Sequence, residues 1–272
     1  MKKYIIGVDL DGTLLTSDKE ITDRTLRVIG QAVKKGNMIV PVTGRPISGI
    51  PKSILERKEI EYAITSNGAV TYNLKENRIM DNMCLPMSAC KQIYQSLYCS
   101  ASVFEVFVGG VAYEDKRTFQ NLIQRYCNTR YMEYISRSRK IVNNVEDFLY
   151  SGKVDEISVM FDKNSADQTA AIHNMRGIAG IEAVETIQCE FEIYDKSAGK
   201  GNALINLSEI LGFLQKEVVA IGDSNNDLDM MEKAGFSIVM ENASKQVKKA
   251  ADVVTSSNDR DGVAEAIMKY IM

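Results

Sequence analysis

The chain has 272 residues, 45% hydrophobic and 25% charged, with a net charge of −3 and a pI near 5.5. No Lys/Arg block stands out, so no nucleic-acid partner is expected, and no apolar run approaches the roughly 20 residues of a membrane span. Five cysteines without a CxxC pair, beside a single histidine (His173), argue for reduced thiols and against an ordinary zinc site. A charged start is followed by an apolar run that stops at Asp9, too early for a signal peptide. A cytoplasmic protein is expected.

The first apolar run, residues 4–8, reads as a buried strand that ends in Asp9-Leu10-Asp11-Gly12-Thr13. Alternate side chains of an extended segment share a face, so Asp9 and Asp11 can point into one pocket. Two carboxylates that close resist ionising together unless a cation lies between them or one keeps its proton. Thr22 or Asp23 then caps a predicted helix with Leu26, Ile29 and Val33 at helical spacing. A second strand, 38–42, ends at Thr43-Gly44-Arg45-Pro46. Strand, helix and strand of this length make a parallel βαβ unit, although Pro41 is awkward for a central strand. A helix over 47–57 and a strand at 62–65 are expected next, and Asn67-Gly68 signals a tight turn before a hairpin of 69–73 with 78–81.

From Cys84 the pattern changes. Helices are expected at 88–98, 119–127 and 165–175, and strands at 102–108, 111–114, 154–161, 181–187 and 190–194, with 128–152 poorly patterned. Adjacent paired strands mixed with helices predict a separate, partly antiparallel domain over 84–193. The βα rhythm returns at Ser197. A helix (200–211) leads to a strand (218–221) that ends in Gly222-Asp223-Ser224-Asn225-Asn226-Asp227. Helices at 228–234, 243–250 and 262–270 alternate with strands at 237–240 and 252–255. The predicted fold class is α/β: a doubly wound, Rossmann-like parallel core from residues 1–83 and 194–272, interrupted by a mixed α/β domain.

In open α/β sheets ligands bind beyond the carboxyl ends of the strands. Three separate strands here end in polar clusters: Asp9/Asp11, Thr43-Gly44-Arg45 and Asp223…Asp227. One such carboxylate could be a helix cap; three clusters together point to a site. Carboxylates of Asp9 and Asp223 with a carbonyl near Asp11 suit a hard, oxygen-coordinated cation such as Mg²⁺. Thr43 and the N–H groups around Gly44 can hold phosphate oxygens, Arg45 is a candidate for positioning an anionic substrate, and Lys200 can add a fixed positive charge. Competing motifs fail on spacing: from Asp9 an EF-hand lacks its glycine at position 6, and Gly199-Lys200 lacks the rest of a P-loop.

Asp9-Leu10-Asp11-Gly12-Thr13, Thr43, Lys200 and Gly222-Asp223-Ser224-Asn225-Asn226-Asp227 resemble, in order, the four motifs of the haloacid dehalogenase superfamily. The insertion between the second and third motifs is similar to the type II cap of the Cof-type phosphatases. Val42-Thr43-Gly44-Arg45-Pro46, Ser66-Asn67-Gly68-Ala69 and Asp261-Gly262-Val263-Ala264 also resemble that subgroup. The resemblance implies that Asp9 attacks phosphorus to form an aspartyl-phosphate, and that Asp11 serves as acid and then base. It implies Mg²⁺ on Asp9, the Asp11 carbonyl and Asp223, with Lys200 and Thr43 sharing the phosphoryl charge. Asp227 would orient Lys200 or a metal-bound water, and Asn226 would contact phosphate. The expected function is a Mg²⁺-dependent phosphatase for small phosphorylated metabolites. Sugar phosphates are favoured, FMN or pyridoxal phosphate next, with the inserted domain closing over the substrate. Phosphoryl transfer to another alcohol and a non-catalytic phospho-ligand sensor are the alternatives.

Overall fold

The computed structural model describes residues 2–127, 130–162, 166–185 and 189–272. Along the chain the strands are β1 (Ile5–Val8), β2 (Met38–Pro41), β3 (Tyr62–Thr65), β4 (Val70–Asn73) and β5 (Arg78–Asn82). They continue with β6 (Val103–Val108), β7 (Val111–Asp115), β8 (Arg139–Val142), β9 (Val154–Met160), β10 (Ile181–Glu185) and β11 (Glu190–Asp195). The last three are β12 (Val218–Gly222), β13 (Phe236–Met240) and β14 (Val253–Thr255). Two compact units result: Met1–Thr43 with Pro51–Asp81 and Gly199–Met272, and Gly44–Ile50 with Asn82–Ala198.

The first unit holds a five-stranded sheet in the order β14-β13-β12-β1-β2, parallel at every pair. β1 and β12 are buried along their length, which is why Ile5–Val8 and Val218–Gly222 read as unbroken apolar runs. Val8 pairs with both Pro41 and Ile221, so β1, β2 and β12 end level with one another. That register sets three polar loops along one edge. Pro41 is tolerated because Val42 N donates to Val8 O at 2.9 Å; the alternate position, 41, directs its nitrogen away from β1. The helix Asp23–Lys34 starts at Thr22, whose side chain accepts from Thr25 N, and Asp23 complements the helix dipole in the first turn. Leu204 and Leu207 of the helix Lys200–Ile210 pack with Met230 on Ile5, Val40, Val218 and Ala220. A separate sheet, β3-β4-β5, carries the predicted hairpin, and a lone parallel bridge joins Val42 to Ile64.

The predicted helix over 47–57 does not form. A 3₁₀ turn, Ile47–Gly49, and a one-turn helix, Lys52–Leu55, flank Ile50, which is extended at φ −75° and ψ 132°. Pro51 is the cause: its ring disfavours a helical residue before it, and it has no N–H to donate.

The second unit holds a six-stranded sheet, β10-β11-β9-β6-β7-β8, antiparallel except for β7 with β8. Phe104, Val106, Ile157, Val159 and Ile193 form its main core with Ile93 and Leu97 of the helix Met87–Leu97. On the sheet's other side Val103 and Met160 meet Leu122 of the helix Lys116–Tyr126 and Ile135 of the helix Arg130–Ser138. Part of the stretch expected to be unpatterned is therefore ordered, its helix stabilised by this small apolar cluster. Residues 128, 129, 165, 186 and 187, which expected segments include, lie outside the described residues.

β6 and β7 set Glu105 directly across from Glu114, and both are fully buried. Arg139 pairs with Glu105 at 2.6 Å, whereas Glu114 accepts from the Thr118 hydroxyl at 2.5 Å. Burial, and then the charge of Glu105, push the Glu114 carboxyl up to about 10. Its folded pKa lies above its unfolded value, so between these two pH values unfolding releases a proton. Stability therefore falls as pH rises through that window, by at most about 1.4 kcal/mol per pH unit for one group. Glu114→Gln keeps an oxygen for Thr118 and removes this penalty. The variant is expected to gain melting temperature over the wild type increasingly from pH 6 to pH 9; parallel melting curves across that range would contradict the buried, neutral acid.

Candidate active site

The site assembles in the first unit from the ends of β1, β2, β3, β12 and β13. Asp9 follows β1 and continues its ladder, donating from its N–H to Ile221 O at 2.9 Å. Its carboxylate is buried. Lys200 opens the helix Lys200–Ile210 and is 1% exposed. Its Nζ lies 2.7 Å from Asp9 Oδ1 and 2.7 Å from Asp227 Oδ1. A lysine at a helix N-terminus opposes the macrodipole; two carboxylates compensate it here. Asp227 Oδ2 accepts from the N–H groups of Asp223 and Ser224, each at 2.9 Å, so both its oxygens are engaged.

Asp223 faces the same space. Thr13 donates to its Oδ1 at 2.7 Å, and Asn242 Nδ2 lies 3.3 Å from its Oδ2. Carboxylate oxygens of Asp9, Asp223 and Asp227 come within 4.8 Å of one another. Burial, opposed by Lys200 and reinforced by the charges of Asp227 and Asp223, holds the Asp9 pKa well above the ordinary carboxylate range. Burial and then Asp227 push Asp223 up to about 6. Burial by itself would lower the Lys200 pKa, but Asp227 and Asp9 outweigh it and keep the ammonium protonated. Three acids share one ammonium. The group thus has the charge and the oxygen donors to accept a hard cation.

Thr43 is buried at the end of β2, where its N–H donates to Ile64 O at 2.9 Å and its carbonyl accepts from Asn67 N at 3.1 Å. Asn67 in turn accepts from Asn226 Nδ2 at 3.1 Å, tying this loop to the Asp223–Asp227 loop. Next to it, Gly68 has φ +93°, and a Cβ there would lie 2.2 Å from Gly199 O. Only glycine allows the turn to touch the start of the Lys200 helix. Asp11 is paired with Lys19 at 2.7 Å. Gly44 and Arg45 belong to the second unit, where Arg45 donates to Gly49 O at 2.8 Å and stacks on the Tyr134 ring, 4.3 Å from its centroid.

The structure thus joins Asp9, Lys200, Asp223 and Asp227 directly, and Thr43 with Asn226 through Asn67. Sequence reasoning read Asn67 as a turn residue within a subgroup motif and gave it no site role, and it missed Asn242. Asn242 donates to Gly12 O at 2.8 Å and accepts from Asn258 N at 3.1 Å, linking loops after three strands besides its own. Its signal was present, since it stands just beyond an apolar strand, as the other polar clusters do.

A family model of haloacid dehalogenase-like hydrolases matches residues 6–267. The chain belongs to this family. It is similar to the Bacillus subtilis protein YxeH, 30% identical over 98% of each chain. The phosphatase YwpJ of the same organism is 27% identical over 98% of this chain and 99% of its own. Among solved structures, a haloacid dehalogenase-like hydrolase from B. subtilis superposes over the whole of both chains with a TM-score of 0.85 and 27% identity. The subclass IIB sugar phosphatase BT4131 shares the fold, with a TM-score of 0.83 at 21% identity over 99% of each chain. The motif resemblance to Cof-type phosphatases and the α/β fold class are borne out. The protein is a hydrolase of phosphoric monoesters. No helix among the described residues is long and apolar enough to cross a membrane.

Lys200→Met removes the one charge that compensates two buried carboxylates. A loss of about 3–5 kcal/mol in urea unfolding is expected. A loss below about 1 kcal/mol would mean that water already solvates Asp9 and Asp227.

Proposed function

We propose that the protein hydrolyses the phosphate of a polyhydroxylated primary alcohol, through a phosphoryl group carried transiently on Asp9 and with Mg²⁺ as cofactor. The observation that carries this reading is the buried Asp9 carboxylate, held at one oxygen by Lys200 and set beside Asp223. With both Asp227 oxygens engaged, Asp9, Asp223 and the Asp11 carbonyl would hold the ion, while Asp227 positions Lys200. Bound there, Mg²⁺ would neutralise charge on the phosphoryl group. Lys200, Thr43 and Asn226 would share that task as fixed donors.

Asp9 Oδ2, the oxygen not held by Lys200, attacks phosphorus, and the bond to the leaving oxygen breaks as Asp11 passes it a proton. Water then attacks the phosphorus, its proton returns to Asp11, and the bond from Asp9 breaks to release phosphate. Water and ester become alcohol and phosphate, and the enzyme is restored.

Three B. subtilis relatives, 25–29% identical, are 5-amino-6-(5-phospho-D-ribitylamino)uracil phosphatases. Their named substrate carries its phosphate on a ribityl chain. This favours sugar and sugar-alcohol phosphates for the present chain, with FMN, which bears the same chain, and pyridoxal phosphate next. Residues 84–193 are proposed as the substrate-selecting cap domain.

Asp9→Asn is expected to lower turnover of an aryl phosphate by a factor on the order of 10³ or more and to abolish acid-trapped phosphoenzyme. EDTA should silence the wild type and added Mg²⁺ restore it. Normal turnover by Asp9→Asn would refute the covalent route, and indifference to EDTA the metal. In a metabolite screen, sugar and sugar-alcohol phosphates should exceed nucleoside monophosphates in kcat/KM by about tenfold or more. The reverse order would refute the substrate class.

A further inference from the structure

Lys19 belongs to none of the motifs described above, yet its Nζ lies 2.7 Å from Asp11 Oδ1, with side chains 33% and 36% exposed. An ion pair this open to water adds little to stability. What it supplies is orientation. A carboxyl group contacted by an ammonium on a fixed loop is restricted in its rotamers, and a misaimed proton donor loses much of its rate advantage.

The backbone that carries Lys19 is fixed along its length. Leu14 N and Leu15 N donate to Asp9 O and Leu10 O, at 3.1 and 2.8 Å. Thr16 N donates to Glu20 O and Lys19 N to Thr16 O, both at 2.8 Å, closing a tight loop in which Lys19 has φ +62°. Side chains seldom adopt that left-handed conformation unless the surroundings impose it. Here contacts distant in sequence hold the loop: Asp259 accepts from Ser17 N and Ser17 Oγ, each at 2.7 Å, and Asn258 Nδ2 donates to Leu15 O at 3.0 Å. Asn242 Nδ2 holds Gly12 O at 2.8 Å. The loop after β14 thus acts on the segment that follows the nucleophile.

We infer that Lys19 is a positioning residue that aims the Asp11 carboxyl, and that Asp259 serves the same end by anchoring the Lys19 loop. The inference rests on Asp11 being the acid that protonates the leaving alcohol. A lysine without that role would be an ordinary loop cation, and its removal would affect all esters alike.

The test compares kcat/KM across phosphate esters of different leaving groups, from 4-nitrophenyl phosphate, which departs without a proton, to phenyl phosphate and ribitol 5-phosphate. Lys19→Met is expected to cost the ribitol ester about 10- to 100-fold and the nitrophenyl ester less than about threefold, with Lys19→Arg recovering much of the loss. Asp259→Asn should show the same bias more weakly, and carries the test should Lys19→Met fold poorly by thermal melting. Asp11→Asn should show it most strongly. Equal losses on all esters, no loss, or no recovery with Arg would overturn the role of Lys19. If Asp11→Asn itself shows no leaving-group bias, the general-acid reading falls, and the role of Lys19 with it. If Asp11→Asn shows the bias and Lys19→Met does not, only the inference about Lys19 is lost.

Discussion

A buried ammonium between two carboxylates is the interaction on which the first unit's site depends. Lys200 bridges Asp9 and Asp227 at 2.7 Å each, with almost no exposure to water. Desolvating these charges is costly, and only close pairing with further hydrogen bonds offsets it. The two N–H groups that hold Asp227 supply part of that compensation. The arrangement stays short of neutral, because Asp223 adds a third acid to one base. The remaining negative charge is what makes the site suited to a cation, while burial first, and the neighbouring acids after it, shift Asp9 and Asp223 upward.

Sheet register turns this pairing into a site. Parallel strands that end level with one another place their following residues along a single edge, where N–H and carbonyl groups are no longer used by the ladder. The chain fills that edge with short polar side chains that bind one another across loops: Thr13 with Asp223, Asn226 with Asn67, and Asn242 with Gly12 and Asp223. Each loop is thereby held by at least one other, and the acids meet on a rigid frame, as a catalytic constellation requires. The Asn258–Asp259 loop extends the same principle outward to the segment that bears Lys19.

The second unit treats charge differently. Its sheet buries Glu105 and Glu114 face to face, pairs the first with Arg139, and leaves the second neutral through burial. Arg45 is likewise drawn into that unit by Gly49 and Tyr134. From the sequence it was a candidate for substrate binding because it follows Thr43-Gly44. Its contacts with Gly49 and Tyr134 could not be read from its neighbours in sequence, since the side chain is long.

What the amino-acid sequence determined by itself was the set of strands that end in polar clusters. Apolar runs closing on Asp9, Thr43 and Asp223 are local patterns, and a parallel sheet follows from their alternation with helices. Even there local chemistry could mislead, as Pro51 broke the helix expected over 47–57 and an apolar cluster ordered part of 128–152. Only the tertiary structure decided the pairings. Lys200 meets an acid 191 residues away and another 27 residues away, Asn242 joins loops after four strands, and Lys19 turns back onto Asp11. Such contacts depend on strand order and register. Those are set by packing across the whole sheet, and no window of neighbouring residues encodes them.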